Sequence, residues 1–456
     1  MKDLTQGPVM RNLLAMAVPI AAGMALQTLY YMVDLYFVAQ LGDAAIAGVS
    51  AAGNIFFVVL ALTQMLGIGT AALMAQAVGR QDRGDANHLF NQSIVLSALC
   101  AAVTLIGGYG LGGLYMRSLS ADAATMAAGV MFLYWFVPGL ALQFAMVVMG
   151  SALRATGIVK PTMVVQAATV LLNTLLAPVL IAGWGSGHAL GVAGAGLAST
   201  LATGAGVVLL AVYFVKLEQY VQFDRAQLKP RLATWGRMLN VGLPAGGEFA
   251  LMSVYVALVY WIIRDFGAAA QAGFGVGMRI MQMIFLPAMA LAFAAGPIAG
   301  QNFGARLPQR VRETFRATAL ATCSVMLVLT LICQWASAVF VRSFTADPAV
   351  VAFGGDYLRI ISWNFIAAGI VFSASSMFQG MGNTWPSLLS SSSRLVIFVV
   401  PALWLASRAG FRLVEVWYLS VATNAIQALI SLLLIQREFR RRLGPRTAAA
   451  VATAAG

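Results

Sequence analysis

Asp34 is a carboxylate inside PIAAGMALQTLYYMVDLYFVAQLG, an apolar run from Pro19 to Gly42 that is long enough to cross a bilayer. A charged group at the centre of a spanning helix costs about 2.5–3.5 kcal/mol on insertion scales, so an acid there is rarely incidental. Gln27 precedes Asp34 by seven residues, close to two helical turns, and shares its face. Low dielectric disfavours the charged form of a carboxyl group, which suits a proton carrier. The same group, ionised and ringed by oxygens, would suit Na+. Neutral oxygen donors stand in other apolar runs: Asn173 in the fifth, Ser199 and Thr200 in the sixth. Such groups also serve as hydrogen-bond glue between helices. Pro19, about four turns before Asp34, removes an amide and would let the helix bend there.

A second acid, Glu248, lies about ten residues into its own run. It reads either as a secondary acid of a substrate cavity or as the ion-pair partner of an intramembrane arginine such as Arg394. Asp356 sits nearer the outer end of its run, with Arg359 one turn on as its expected partner. Tyr134, in the fourth run, could offer a hydroxyl to a substrate. The 25 Phe and 22 Met would let such a cavity adapt to apolar ligands.

The elements that must position these groups follow from composition. The 456 residues are 61% hydrophobic and only 9% charged, with a mean hydropathy of +0.85; soluble domains are about a quarter charged. Twelve apolar runs cover roughly 11–39, 45–77, 89–115, 124–150, 161–183, 189–215, 238–263, 269–299, 315–341, 352–378, 386–407 and 412–436. Their lengths predict helices, not alternating strands. The expected fold is an all-α membrane protein with twelve transmembrane helices in two pseudo-symmetric six-helix lobes. The first run is far longer than the apolar core of a cleavable signal, so it is expected to be retained.

The net charge of +13 is explained by topology rather than by nucleic acid. With both termini in the cytoplasm, 20 of the 28 Lys and Arg fall on the cytoplasmic side, five outside and three within runs. That orientation implies a multi-pass protein of the cell inner membrane. The three cysteines lack metal-ligand spacing and read as small buried hydrophobes.

The chain also repeats. Pro19 and Pro244, Gln76 and Gln301, Gly79 and Gly304, Phe90 and Phe315, Gly157 and Gly382, and Pro161 and Pro386 are all 225 residues apart. A shared offset over several regions points to duplicated six-helix lobes in the same orientation. The predicted division is 1–215 for the first lobe, 216–237 for a cytoplasmic linker, 238–436 for the second lobe and 437–456 for a cytoplasmic tail. Two similar bundles about a central cavity suit a transporter that exposes it alternately to either side. The functional acids fall where the repeat breaks: Asp34 is matched by Val259, and Glu248 by Gly23.

The sequence resembles the multidrug and toxic compound extrusion (MATE) family over nearly its whole length. VDLYFVAQLG after Pro19, GIGTAALMAQAVGR with its repeat AGQNFGA, LRATG followed by Pro161, and GVAGAGLAST carry the resemblance. It implies a two-lobed antiporter exporting organic, often cationic, compounds in exchange for H+ or Na+. It looks closer to the branch similar to the DNA-damage-inducible transporters, whose cation site lies in the amino-terminal lobe. That branch implies roles for Pro19, Gln27, Asp34 and Asn173. Two departures stand out. The branch's second acid, four residues after Asn173, is here Ala177, which favours H+ over Na+. The carboxy-lobe acid of other relatives is here Met252, so Glu248 cannot inherit that role.

The expected function is therefore secondary active export of drug-like cations by a monomer, with Asp34 as coupling carboxylate and small organic molecules and the bilayer as partners. A flippase for a lipid-linked precursor is the alternative; it should be rich in intramembrane cations, and only Arg279, Arg359 and Arg394 qualify. An enzyme is not expected: His88 and His188 lie near run boundaries, and no nucleophile motif, phosphate loop, metal set or cofactor motif is present.

Overall fold

The computed structural model describes residues 2–119, 122–185, 187–218, 220–408 and 410–444. The part of the expected tail beyond residue 444 lies outside them. The described secondary structure is helical, with turns and irregular segments between the helices. In order it forms α1 (Val9–Ala39), α2 (Asp43–Gly53), α3 (Ile55–Gly79), α4 (Arg83–Leu119), α5 (Ala123–Ala155), α6 (Lys160–Ile181), α7 (Val192–Lys216) and α8 (Leu232–Ile263). There follow α9 (Ala268–Gly304), α10 (Pro308–Arg342), α11 (Pro348–Ile361), α12 (Asn364–Gly380), α13 (Trp385–Ala406) and α14 (Leu413–Arg442). Among the described residues, eleven helical stretches are long and apolar enough to cross a membrane, α2 and α3 counting as one, and the bent pair α11–α12 makes a twelfth. In hydrocarbon the backbone has no water to bond to, which is why such long apolar runs close into helices.

Local chemistry sets the helix ends. Asp122 caps α5 by accepting from the Thr125 amide at 2.8 Å, and this bond holds its carboxyl below the usual carboxylate range. Asp347 caps α11 in the same way through the Ala349 amide at 2.8 Å, with Pro348 in the first helical turn.

The run expected as one helix over 352–378 is bent by 53° between α11 and α12. Side chains of α10 bond backbone carbonyls at the break. Thr330 Oγ1 donates to the Ser362 carbonyl at 2.9 Å, and Gln334 Nε2 donates to the Arg359 carbonyl at 2.7 Å. The expected Asp356–Arg359 ion pair does not form; both side chains are exposed on α11.

The chain divides into two compact units. One holds residues 1–3 and 18–243, the other residues 4–17 and 244–456. The divisions fall beside Pro19 in α1 and at Pro244 in α8. Within the first unit, the polar stretch after α7 is stitched to the start of α4. Gln92 Nε2 donates to the carbonyls of Gln227 (2.6 Å) and Lys229 (2.8 Å), while its Oε1 accepts from the Arg231 amide at 2.9 Å. Asn91 Nδ2 donates to the Gln222 carbonyl at 2.9 Å, and its Oδ1 accepts from the Asp224 amide at 2.9 Å. Within the second unit, the Leu4 amide donates to Gln301 Oε1 at 2.9 Å and Arg310 Nη2 to the Gly7 carbonyl at 2.9 Å. These bonds tie the segment before α1 to α9 and α10.

Candidate functional site: a carboxylate held by α6 and α7

In the first unit, helices α5 and α7 approach closely because small residues face each other. A Cβ on Gly196 would stand 2.7 Å from the Phe132 carbonyl, and one on Gly139 would stand 2.8 Å from Thr200 Oγ1. This is the physical content of the GVAGAGLAST run: backbone meets backbone where side chains would not fit. The approach fixes the register of Ser199, which is 1% exposed.

Asp34 on α1 meets that register. Asn173 Nδ2 of α6 donates to Asp34 Oδ1 at 2.7 Å, and Ser199 Oγ of α7 donates to Asp34 Oδ2 at 3.0 Å. Asn173 is fully buried, and its Oδ1 has no hydrogen-bond partner among the described residues. Both carboxylate oxygens are thus held by neutral donors. One buried acceptor stands free on the residue that touches Asp34.

Next to this trio, on the side of the Lys160 end of α6, lies a small cavity of about 40 Å³. It has room for a few waters. Gln27 and Tyr30 of α1, Gln143 of α5, Gln166 and Thr169 of α6 and Thr203 of α7 line it. Thr169 is one turn from Asn173, Thr203 one turn from Ser199, and Gln27 two turns from Asp34. The polar groups therefore form a column along α1, α6 and α7 rather than an isolated triad.

The other candidates separate from it. Thr200 does not reach Asp34. Its Oγ1 accepts from the Gly139 amide at 3.0 Å, and its hydroxyl donates to the Trp135 carbonyl, so it fastens α7 to α5. Tyr134 does not line the cavity. It is 57% exposed and lies tilted against Tyr109 with ring centroids 5.4 Å apart. Phe136, which does line the cavity, is two residues on; that step of about 200° puts Tyr134 on the opposite side of α5. Gln143 and Gln166 carry amides inside apolar spans, and that was the available signal for them.

Glu248 of α8 lies in the second unit beside the hydroxyls of Ser375 (α12) and Ser387 (α13), where Ser387 Oγ donates to Ser375 Oγ at 2.8 Å. Its Oε1 is buried without a partner among the described residues. It does not pair with Arg394, whose guanidinium lies over the Tyr255 ring at 4.8 Å. Tyr255 is two turns beyond Glu248 on α8, and Arg394 is two turns beyond Ser387 on α13. Acid and cation thus occupy different layers of one helix contact, roughly 10 Å apart along the helices. Glu248→Gln is expected to lower substrate efflux by less than Asp34→Asn does, measured side by side in proteoliposomes. The reverse ranking would move the essential acid to the second unit.

An all-helical chain with apolar helices for twelve crossings and a hydrogen-bonded acid held among three of them defines a multi-pass membrane transporter. The MatE family model matches residues 19–179 and again 244–405, the second match starting 225 residues after the first, and the chain belongs to this family. It is 29% identical over 83% of its length to "Probable multidrug resistance protein YpnP" of Bacillus subtilis, of which the alignment spans 85%. It is 22% identical over 89% of its length to the FAD transporter of Shewanella oneidensis, of which 91% is spanned. In fold it is similar to a MOP superfamily transporter from Pyrococcus furiosus, with a TM-score of 0.89 at 23% identity, covering 96% of this chain and 98% of that one. Members of the family are transporters, not enzymes.

Proposed function

We propose that the chain is a secondary antiporter that exports small organic cations in exchange for protons, with Asp34 as the exchanging group. The observation that carries this reading is the pairing of Asp34 with Asn173 and Ser199 inside spanning helices. Ionised, the carboxylate accepts both neighbours' hydrogens. Protonated, it becomes a donor, and a half-turn of the Asn173 amide brings the unpartnered Oδ1 round to accept its proton. Both charge states of Asp34 thus have a bonded arrangement with the same neighbours, which is what a reversible proton carrier requires. The cavity beside it gives the proton a hydrated approach through Gln27, Thr169 and Thr203. A cationic substrate is attracted to the ionised form and released as the proton takes its place.

The wider reading is that two six-helix lobes, 1–215 and 238–436, joined by the 216–237 segment, rock to expose the substrate alternately to either side. Bending of α1 at Pro19 accompanies this. The protein acts as a monomer in the inner membrane with both termini cytoplasmic, and belongs to the branch similar to the DNA-damage-inducible transporters.

Protons are preferred over Na+ because Ala177, one turn from Asn173 and fully buried, supplies no oxygen. Ala177→Asp is expected to make efflux depend on an imposed Na+ gradient where the parent responds to protons. An unchanged ion dependence would count against the proton assignment. Efflux of ethidium from proteoliposomes, with proton and Na+ gradients imposed separately, tests the function itself. Efflux driven by protons supports it, and no efflux under either gradient refutes it.

A further inference from the structure

Of the three arginines within spans, Arg279 and Arg359 are exposed, and only Arg394 is withdrawn from the surface. It is the tenth residue of α13, close to the middle of that 22-residue helix. A guanidinium at such a depth is normally paired or serves a substrate path. Among the described residues Arg394 has no ion-pair partner. Its Nε is buried and makes no hydrogen bond. The acids of the second unit are occupied elsewhere or exposed: Glu248 sits beside Ser375 and Ser387 in another layer, Asp356 is exposed, and Asp265, Glu415 and Glu438 lie 3.3, 4.0 and 2.6 Å from Arg264, Arg412 and Arg442.

The surroundings hold the guanidinium in place without neutralising it. It lies over the Tyr255 ring at 4.8 Å. The Tyr255 and Ser420 hydroxyls are 2.9 Å apart, and Asn364 Nδ2 donates to Ser420 Oγ at 3.3 Å. Asn424 Nδ2 in turn donates to the Asn364 carbonyl at 3.0 Å. Phe398 packs on Tyr255 with centroids 4.8 Å apart. A polar chain through α12 and α14 thus fixes the aromatic platform. The half-buried guanidinium on it keeps a planar fork of donors free, the geometry that suits carboxylate and phosphate oxygens.

We infer that Arg394 on its Tyr255 platform is a recognition point for an anionic group, a carboxylate or phosphate carried on an aromatic or amphiphilic substrate. This deepens the transporter reading by naming a second chemical feature of the substrate, and it does not depend on which ion drives transport. The anionic group could belong to a soluble organic anion or to a lipid headgroup, and the test separates the two.

The probes are carboxyfluorescein, ethidium and fluorescently labelled phosphatidylglycerol, each followed in the same proteoliposomes for wild type, Arg394→Gln and Arg394→Lys. Loss of one charge-assisted pair is expected to raise the KM for the anionic probe about 10- to 100-fold relative to that for ethidium in Arg394→Gln. A selective loss for carboxyfluorescein assigns the site to soluble anions; a selective loss for the labelled lipid assigns it to headgroups. Arg394→Lys keeps the charge but not the fork, and covers the case in which Arg394→Gln fails to assemble; it should show the same selective rise to a smaller extent. The inference is overturned if wild type moves neither anionic probe, or if the variant that assembles affects ethidium and anions equally. Absence of ethidium efflux in wild type would refute the cation-export reading alone.

Discussion

Asp34→Asn is expected to reduce coupled efflux to the level of protein-free liposomes while leaving the fold intact. Asparagine keeps the size and planarity of the side chain. Its Oδ1 can still accept from Asn173 Nδ2, and its Nδ2 can donate to Ser199 Oγ, so neither partner is abandoned. What disappears is the capacity to gain and lose a proton. Unchanged size-exclusion behaviour and helical content together with absent efflux would place the loss in exchange rather than in folding. Full efflux in the variant would remove Asp34 from the mechanism.

A large structural effect is expected at Gly196. A Cβ there meets the Phe132 carbonyl at 2.7 Å, Trp135 Cβ at 3.0 Å and the Phe136 amide nitrogen at 3.1 Å. Two of these three atoms are backbone and cannot rotate aside, so Gly196→Val must separate α7 from α5. Overpacking of this kind costs about 1–3 kcal/mol, and backbone contacts belong at the upper end. The displacement also moves Ser199, one turn away, off Asp34. A lower unfolding temperature in detergent and weakened efflux should therefore appear together. Gly113 on α4 is the internal comparison: nothing lies within 4 Å of a Cβ there. Gly113→Ala should leave stability unchanged or raise it. Equal unfolding temperatures for Gly196→Val and the parent would contradict the close α5–α7 contact.

Much of the architecture was legible in the sequence because bilayer thickness translates directly into run length. The twelve apolar runs each have a helical counterpart. The tenth differs only where Thr330 and Gln334 bond carbonyls, a tertiary contact that no local pattern within 352–378 announces. The site was legible to a lesser depth. Asp34 stood out because an acid in hydrocarbon is costly, and Asn173 and Ser199 because few polar groups share its depth. Thr200, adjacent to Ser199, was indistinguishable by composition. Only the packing of α5 on α7 shows that its hydroxyl is taken by the Trp135 carbonyl. Tyr134 was misplaced for a similar reason: a long apolar helix has no polar face to betray which side is inward. Glu248 was visible as an acid, but its neighbours, Ser375 and Ser387, come from two helices more than 120 residues further on in the chain. The unpaired Arg394 was likewise invisible until the structure placed Glu248 in a different layer, beside Ser375 and Ser387.

Substrate and proton are proposed to exchange at Asp34. The most direct measurement is proton release when ethidium is added to the purified protein in weakly buffered detergent, followed with a pH dye. Wild type should release protons in proportion to ethidium bound, and Asp34→Asn should bind ethidium weakly and release none. Equal release from the two proteins would show that another group gives up the proton, and would contradict the account.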